Sequence, residues 1–263
     1  MNNIELKPQT ALITGAAGYI GSALALELAR TYSHLILVDI NENELNRLKN
    51  EISINSKVNI NIHKCDMSNK EDLENLADDL DKKYCVIDAI FNAIGMVGTD
   101  TMEGWNTDFT NHSYEAWQKC LDVNVSCIFF LIQKVHHLMK KSPYASIVNI
   151  SSIYGVTAPD WSLYEDTDIN NPAAYSVSKA GLVHMTKWLA SKLAPEIRVN
   201  CISPGGIKRN QEKNFIEKYE SKTPLKRMAT EEDIIGPAIF LASTSASYIT
   251  GENLIVDGGW TIT

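Results

Sequence analysis

The chain is expected to fold as a single-domain α/β protein, a doubly wound parallel sheet with helices on both faces. Short apolar runs alternate with helix-period segments along all 263 residues. Such alternation implies parallel strands joined by crossover helices. The runs are almost continuously Val, Ile and Leu, as strands covered on both faces require. A glycine-rich turn, Thr14-Gly15-Ala16-Ala17-Gly18-Tyr19-Ile20-Gly21, joins the first run to the first helical pattern. That arrangement presents helix N–H groups to a phosphate.

Thr10–Thr14 reads as the first strand, ending at the glycines. Tyr19–Tyr32 carries Ile20, Leu24 and Leu28 at helical spacing. His34–Asp39 is the second strand, and Asn41–Ile52 a helix through Leu45 and Leu48. Val58–Cys65 alternates as a strand, and Lys70–Tyr84 is a helix with Ser68 as its N-cap. Val86–Ala93 is the fourth strand; Ser113 caps a long helical region running to about Lys140. Ile147–Ile150 is the fifth strand, followed by the helix Pro172–Leu193 with proline in its first turn. Arg198–Ser203, the helix Thr230–Leu241 with its Thr230-x-x-Asp233 opening, and the strand Leu254–Val256 complete the pattern. No repeat or linker interrupts it, so 1–263 reads as one dinucleotide-binding domain with substrate loops at 95–112, 155–171 and 206–227. The first two loops follow strands and belong at the carboxyl edge of the sheet, where ligands bind.

Composition narrows the function. Apolar content is 44%, charged content 21% and net charge −8. An acidic balance argues against nucleic acid or an anionic membrane as partner. No apolar run is long enough to span a bilayer, and Met1–Lys7 lacks the regions of a signal peptide. The five cysteines, Cys65, Cys85, Cys120, Cys127 and Cys201, lack paired spacing and read as reduced, buried thiols of a cytoplasmic protein. His136-His137 has no third ligand in register, so no metal is expected.

Chemistry concentrates at Tyr175 and Lys179, one helical turn apart on one helix face. A neighbouring ammonium favours a phenolate, which makes the pair a candidate tuned acid/base. Asp39 ends the second strand about 18 residues after Gly21, where a carboxylate accepts both adenosine ribose hydroxyls and repels a 2′-phosphate. No Arg or Lys stands in the glycine turn or directly after Asp39. NAD is therefore expected over NADP. Asp66 and Met67 end the third strand and edge the adenine pocket in the same way.

These residues and several others together resemble the short-chain dehydrogenase/reductase family over essentially the whole chain. The matches are the glycine turn, Asp66, Asn92-Ala93-Ile94-Gly95, Asn124 in Asp122-Val123-Asn124-Val125, and Ile147-Val148-Asn149-Ile150-Ser151-Ser152. Tyr175 with Lys179, Asn200-Cys201-Ile202-Ser203-Pro204-Gly205-Gly206, Thr250-Gly251 and Val256-Asp257-Gly258-Gly259 complete them. The resemblance implies a Rossmann fold and a hydride-transfer oxidoreductase that interconverts an alcohol and a ketone. It makes Tyr175 the general acid/base and has Lys179 lower the Tyr175 pKa and hold the nicotinamide ribose. Ser152 polarises the substrate oxygen, chosen over Ser151 because Ser152-Ile153-Tyr154-Gly155 matches the family's Ser-x-x-Gly. Asn124 supports a water relay. Cofactor contacts are implied for Gly15, Gly18, Tyr19, Ile20, Gly21, Asn92, Pro204, Gly205 and Ile207. It also implies a homotetramer, or a homodimer, built on the helix that carries Tyr175 and the helical region before it.

Departures are equally specific. The glycine spacing is closer to the family's nucleotide-sugar branch, which keeps an epimerase or dehydratase as an alternative. A non-catalytic cofactor-binding regulator is another, opposed by the intact Asn124/Ser152/Tyr175/Lys179 set. Arg209 stands where the family often has Thr. Ser152 and Tyr175 are separated by about ten extra residues, Thr157 to Asp168, rich in aromatics and acids. Aromatic faces and carboxylates suit a polyhydroxylated or amino-bearing small molecule. With Ser-Ser-Ile-Tyr-Gly, this stretch also resembles oxidoreductases of flagellin-modification and surface-glycan pathways.

Overall fold

A computed structural model describes residues 9–97, 102–167 and 170–263. The N-terminal segment, residues 98–101 of the first long loop and residues 168–169 of the second lie outside the described residues. The strands are β1 (Thr10–Thr14), β2 (His34–Asp39), β3 (Asn59–Lys64), β4 (Ala89–Asn92), β5 (Ser146–Ile150), β6 (Arg198–Pro204) and β7 (Asn253–Val256). All pair in parallel, in the order β3-β2-β1-β4-β5-β6-β7. Among the described residues eight α-helices surround them: α1 (Tyr19–Leu28), α2 (Glu42–Asn55), α3 (Lys70–Lys83), α4 (Tyr114–Leu121), α5 (Cys127–Met139), α6 (Ala173–Leu193), α7 (Lys213–Lys222) and α8 (Glu232–Ala242).

Strand periodicity builds two cores. Leu12, Ile36, Ile90, Ile147 and Val199 pack with Leu76 of α3, Leu131 of α5 and Leu182 of α6. The alternate positions Ile13, Leu35, Phe91, Val148 and Ile202 pack with Leu24 of α1, Leu45 of α2 and Leu241 of α8. Successive side chains leave a strand on opposite faces, so each strand serves both layers. The chain reverses its direction of travel across the sheet between β1 and β4, which lie side by side with Thr14 opposite Asn92. The crevice outside that pair is the switch point of a doubly wound sheet.

Several boundaries differ from the sequence reading. Asn69, not Ser68, caps α3, accepting from the Glu71 and Asp72 amides at 2.9 and 3.2 Å. Residues 86–88 leave the fourth strand because the Asp88 carboxylate turns to the Gln9 and Thr10 amides at 2.8 and 2.9 Å. The long helical region is broken by a π-helical turn over Asp122–Ser126. The helix α8 begins at Glu232, with the Asp233 carboxylate accepting from the Thr230 amide at 2.8 Å and paired to Arg227. The stretch 206–227 is not all loop: α7 lies inside it, with Phe215 and Tyr219 buried one turn apart. Cys85 is exposed, while the other four cysteines are buried, and all five are free thiols.

Candidate active site

The glycine turn follows from sterics. Gly15 has φ +68°, and a Cβ there would stand 2.7 Å from the Ile94 backbone. A Cβ on Gly21 would lie 2.1 Å from the Gly15 carbonyl. Only glycine permits the left-handed turn and the closure of α1 onto it. Gly18 precedes α1 in extended backbone with no side-chain cap, and the first turn carries no acid. Its free amides and dipole end suit an anion. Ile20 packs against the adjoining core, and Tyr19 is 63% exposed.

Asp39 reaches this turn from the end of β2. One carboxylate oxygen accepts from the Ala17 amide at 3.0 Å and the other from the Asn41 amide at 3.0 Å. Asp66, two residues past β3, is bonded to the Ser68 amide and hydroxyl at 3.0 and 2.6 Å. Burial would raise its carboxyl, but the Ser68 bonds and the Lys119 ammonium outweigh burial and hold it below the usual range. Met67 differs from expectation, since its side chain is buried in the core beneath α3.

Asn92, expected to line the cofactor groove, turns its side chain into the sheet. Asn92 is fully buried. Its amide accepts from the Thr14 hydroxyl at 3.1 Å and donates to the Asn149 carbonyl oxygen at 2.8 Å. Asn149 then donates to Thr186 at 2.9 Å. The network holds β1, β4, β5 and α6 together in the sheet interior.

Beyond the switch point, α6 presents Tyr175 in its first turn and Lys179 one turn later. The Ser152 hydroxyl, just past β5, accepts from the Tyr154 amide at 3.2 Å and lies close enough to the Tyr175 phenol to draw its pKa down. Ser151 instead donates to the Lys179 carbonyl at 2.9 Å. The choice between the serines is thus geometric: Ser151 ties strand to helix, and Ser152 meets the phenol. Lys179 is 4% exposed, and its ammonium lies 5.8 Å from the Tyr175 ring centroid and donates to the Ile150 carbonyl at 3.0 Å. Burial lowers its pKa to about 8. Asn124 sits in the π-helical turn, fully buried. It accepts from the Met96 amide at 2.7 Å and donates to the Ser178 hydroxyl at 2.9 Å. Gly95 runs beside both Asn124 and Lys179.

The expectation that Lys179 lowers the Tyr175 pKa is corrected. Burial dominates and raises the Tyr175 phenol above its ordinary value; the Ser152 hydroxyl and the charge of Arg209 work against it.

Past β6, the Gly205 amide donates to the Val256 carbonyl at 2.9 Å, and Ile207 pairs with Ala229. Pro204 closes the strand opposite Val256. Over Tyr175 lie two segments that the sequence left separate. Tyr154 and Tyr164 share a hydroxyl bond at 2.8 Å, and the Asn171 amide donates to Tyr164 at 3.3 Å. Tyr164, Phe215, Tyr219 and Trp260 form a ladder of ring contacts, joining the 155–167 stretch to α7 and the C-terminal turn. Phe215, Ile216 and Tyr219 at helical spacing were the available signal for α7. No sequence signal joins Tyr154 to Tyr164, or Lys119 to Asp66, because both are chance distances along the chain.

A family model described as enoyl-(acyl carrier protein) reductase matches residues 15–261. The chain belongs to the short-chain dehydrogenase/reductase family. It is an oxidoreductase of that family, which acts on CH–OH and keto groups. It is 37% identical to a Campylobacter coli post-translational flagellin modification protein A, over 97% of this chain and 99% of the relative. It is 35% identical to a 3-oxoacyl-(acyl-carrier-protein) reductase of Rickettsia felis, over 97% and 98% of the two chains. A Leptospira borgpetersenii short-chain dehydrogenase with bound NAD+ superimposes with a TM-score of 0.82, at 33% identity, covering 98% of this chain and 94% of its own. The family's order of motifs is therefore carried here by β1, β4, β5, α6 and β6. Among the described residues no helix is long and apolar enough to cross a membrane.

Proposed function

We propose that the protein is an NAD-dependent oxidoreductase that interconverts an alcohol and a ketone, with Tyr175 as acid/base. The observation that carries this is the Tyr175 phenol next to the Ser152 hydroxyl and one turn from a buried ammonium, at the carboxyl edge beside the switch point. When bound, the nicotinamide cofactor supplies or accepts the hydride. Tyr175 gives its proton to the carbonyl oxygen in reduction and takes the hydroxyl proton in oxidation. Ser152 holds that oxygen by hydrogen bonding. Lys179 supplies positive charge beneath the site, and Asn124 secures the strand-end segment through Met96 and supports a water-borne proton path to Lys179.

Residues suited to hold the dinucleotide are Gly15, Gly18 and Gly21 of the turn, Asp39 at the adenosine ribose, Asp66 at the base, and Gly205 and Ile207 at the nicotinamide end. Asp39 supports NAD over NADP, because a 2′-phosphate would meet a carboxylate already fixed by two amides. The substrate reading is a sugar or amino-sugar-like metabolite of surface-glycan synthesis, held under the loops 95–112, 155–171 and 206–227. Trp161, Tyr164 and Asp160 of the overhang and the flagellin-modification relative support it.

Phe130, Val177 and Trp188 are 48, 48 and 51% exposed on α5 and α6, and Phe129 packs on Trp188 at 6.0 Å between centroids. They support a two-fold pairing of these helices within a homotetramer. Light scattering giving a mass near 29.3 kDa would make it a monomer. The free thiols support a cytoplasmic enzyme, which fractionation would test. Turnover followed at the nicotinamide absorbance, with sugar-like alcohols and ketones and with NAD and NADP compared by kcat/KM, tests the central reading. Equal or better use of NADP would end the cofactor assignment, and cofactor binding without turnover on any substrate would favour a regulatory protein.

A further inference from the structure

We infer that Arg209 is the cation that binds the diphosphate of the dinucleotide, held over the glycine turn by Glu231 and Tyr19. The inference rests on the dinucleotide reading above and goes beyond it. The Arg209 guanidinium carbon lies 3.8 Å from the centroid of the Tyr19 ring, and Tyr19 opens α1 directly after Gly18. Arg209 therefore bridges two elements 190 residues apart in the chain, from the segment after β6 to the turn after β1. The segment that carries it is anchored. The Lys208 amide donates to the Ala229 carbonyl at 2.8 Å, and the Ala229 amide donates to Gly206 at 2.9 Å. Gln211 accepts from the Arg209 amide at 2.6 Å and donates to the Ile207 carbonyl at 2.8 Å.

This places a positive charge between the glycine turn and Tyr175, the span a diphosphate has to cross from adenosine to the reacting carbon. The field of Arg209 reaches Tyr175, where it opposes the upward push of burial. The glycine turn has no cation of its own, and the first turn of α1 offers only amides. A guanidinium binds phosphate through parallel N–H donors, which a threonine hydroxyl at this position could not match in charge.

The present bonding leaves capacity for it. Glu231 pairs with one terminal nitrogen at 2.9 Å. The Arg209 Nε is buried with no partner among the described residues. A buried donor left unmet is costly, and an anion brought to the turn would satisfy it. Glu231, on this reading, is a resident carboxylate that the phosphate oxygens displace or share.

Fluorescence titration with NADH, ADP and adenosine at two salt concentrations tests the inference. R209Q should weaken NADH and ADP about ten- to a hundredfold, the size of a hydrogen bond to a charged group, reduce the salt dependence, and leave adenosine unchanged. E231Q frees the guanidinium and should leave NADH binding equal or tighter. R209K keeps the charge without the fork and should fall between wild type and R209Q, which serves if R209Q does not fold. NADH binding by R209Q within about twofold of wild type, or an E231Q loss as large as that of R209Q, would overturn the inference and make the pair a brace. Wild type that binds neither NADH nor ADP would instead overturn the dinucleotide reading and this inference with it.

Discussion

Two buried polar clusters draw on β5 and α6 in this molecule, and they differ in how completely they are bonded. Thr14, Asn92, Asn149 and Thr186 close on one another and end on the Leu182 carbonyl at 2.9 Å. All four are essentially inaccessible. Tyr175, Ser152 and Lys179 lie at the carboxyl edge, where Tyr175 is partly exposed and Lys179 meets one carbonyl with three N–H donors. A satisfied cluster specifies strand neighbours and resists change. A cluster with capacity left over, and with its ionisable groups pushed off their ordinary values, is suited to exchange protons.

The comparison can be broken most directly at the phenol. Tyr175→Phe keeps the ring and removes the proton, so kcat should fall by roughly 10²–10⁴ while NADH titration shows binding retained. Near-normal turnover would remove the distinction between the two clusters.

The next effect is on pH. Burial holds the Lys179 pKa at about 8 against an ordinary 10.5. The unfolded chain then binds the extra proton between these values. The stability penalty of burying the ammonium is full below about pH 8 and is relieved as pH rises toward 10.5, by at most about 3 kcal/mol. Urea melts should show wild type gaining stability relative to Lys179→Met across that window. Parallel curves would show that the ammonium is not penalised.

Asn149→Ala probes the closed cluster. It should leave the Asn92 amide without its acceptor and cost about 1–3 kcal/mol in urea unfolding, with kcat per folded molecule little changed. A kcat loss comparable to that of Tyr175→Phe would show the two clusters act as one.

The smallest expected effect concerns protonation of Tyr175 during turnover. Its raised pKa keeps the phenol protonated at neutral pH. Ketone reduction should be level through neutrality and fall at high pH, while alcohol oxidation should climb as pH rises toward and past the ordinary phenol value of about 10, as the phenolate forms. Profiles in the two directions, measured with saturating substrate, check the sign.

Much of this was legible in the chain. Near-continuous apolar runs and glycine punctuation located all seven strands to within a few residues, because strands buried on both faces admit little else. The glycine turn, Asp39, Tyr175 and Lys179 were legible because each sits at a fixed offset from an element end, and local geometry sets what it can reach. Tertiary packing decided the rest. It sent the Asn92 side chain inward, turned Lys179 to Ile150, paired Ser152 with Tyr175 and gave Ser151 to the helix backbone. It also laid Arg209 on Tyr19 and stacked Tyr164 on Phe215. Those outcomes depend on which groups from distant segments compete for one buried donor or acceptor. Periodicity and spacing carry which residues share a face, but the partner each polar atom finds is settled only when the segments are brought into contact.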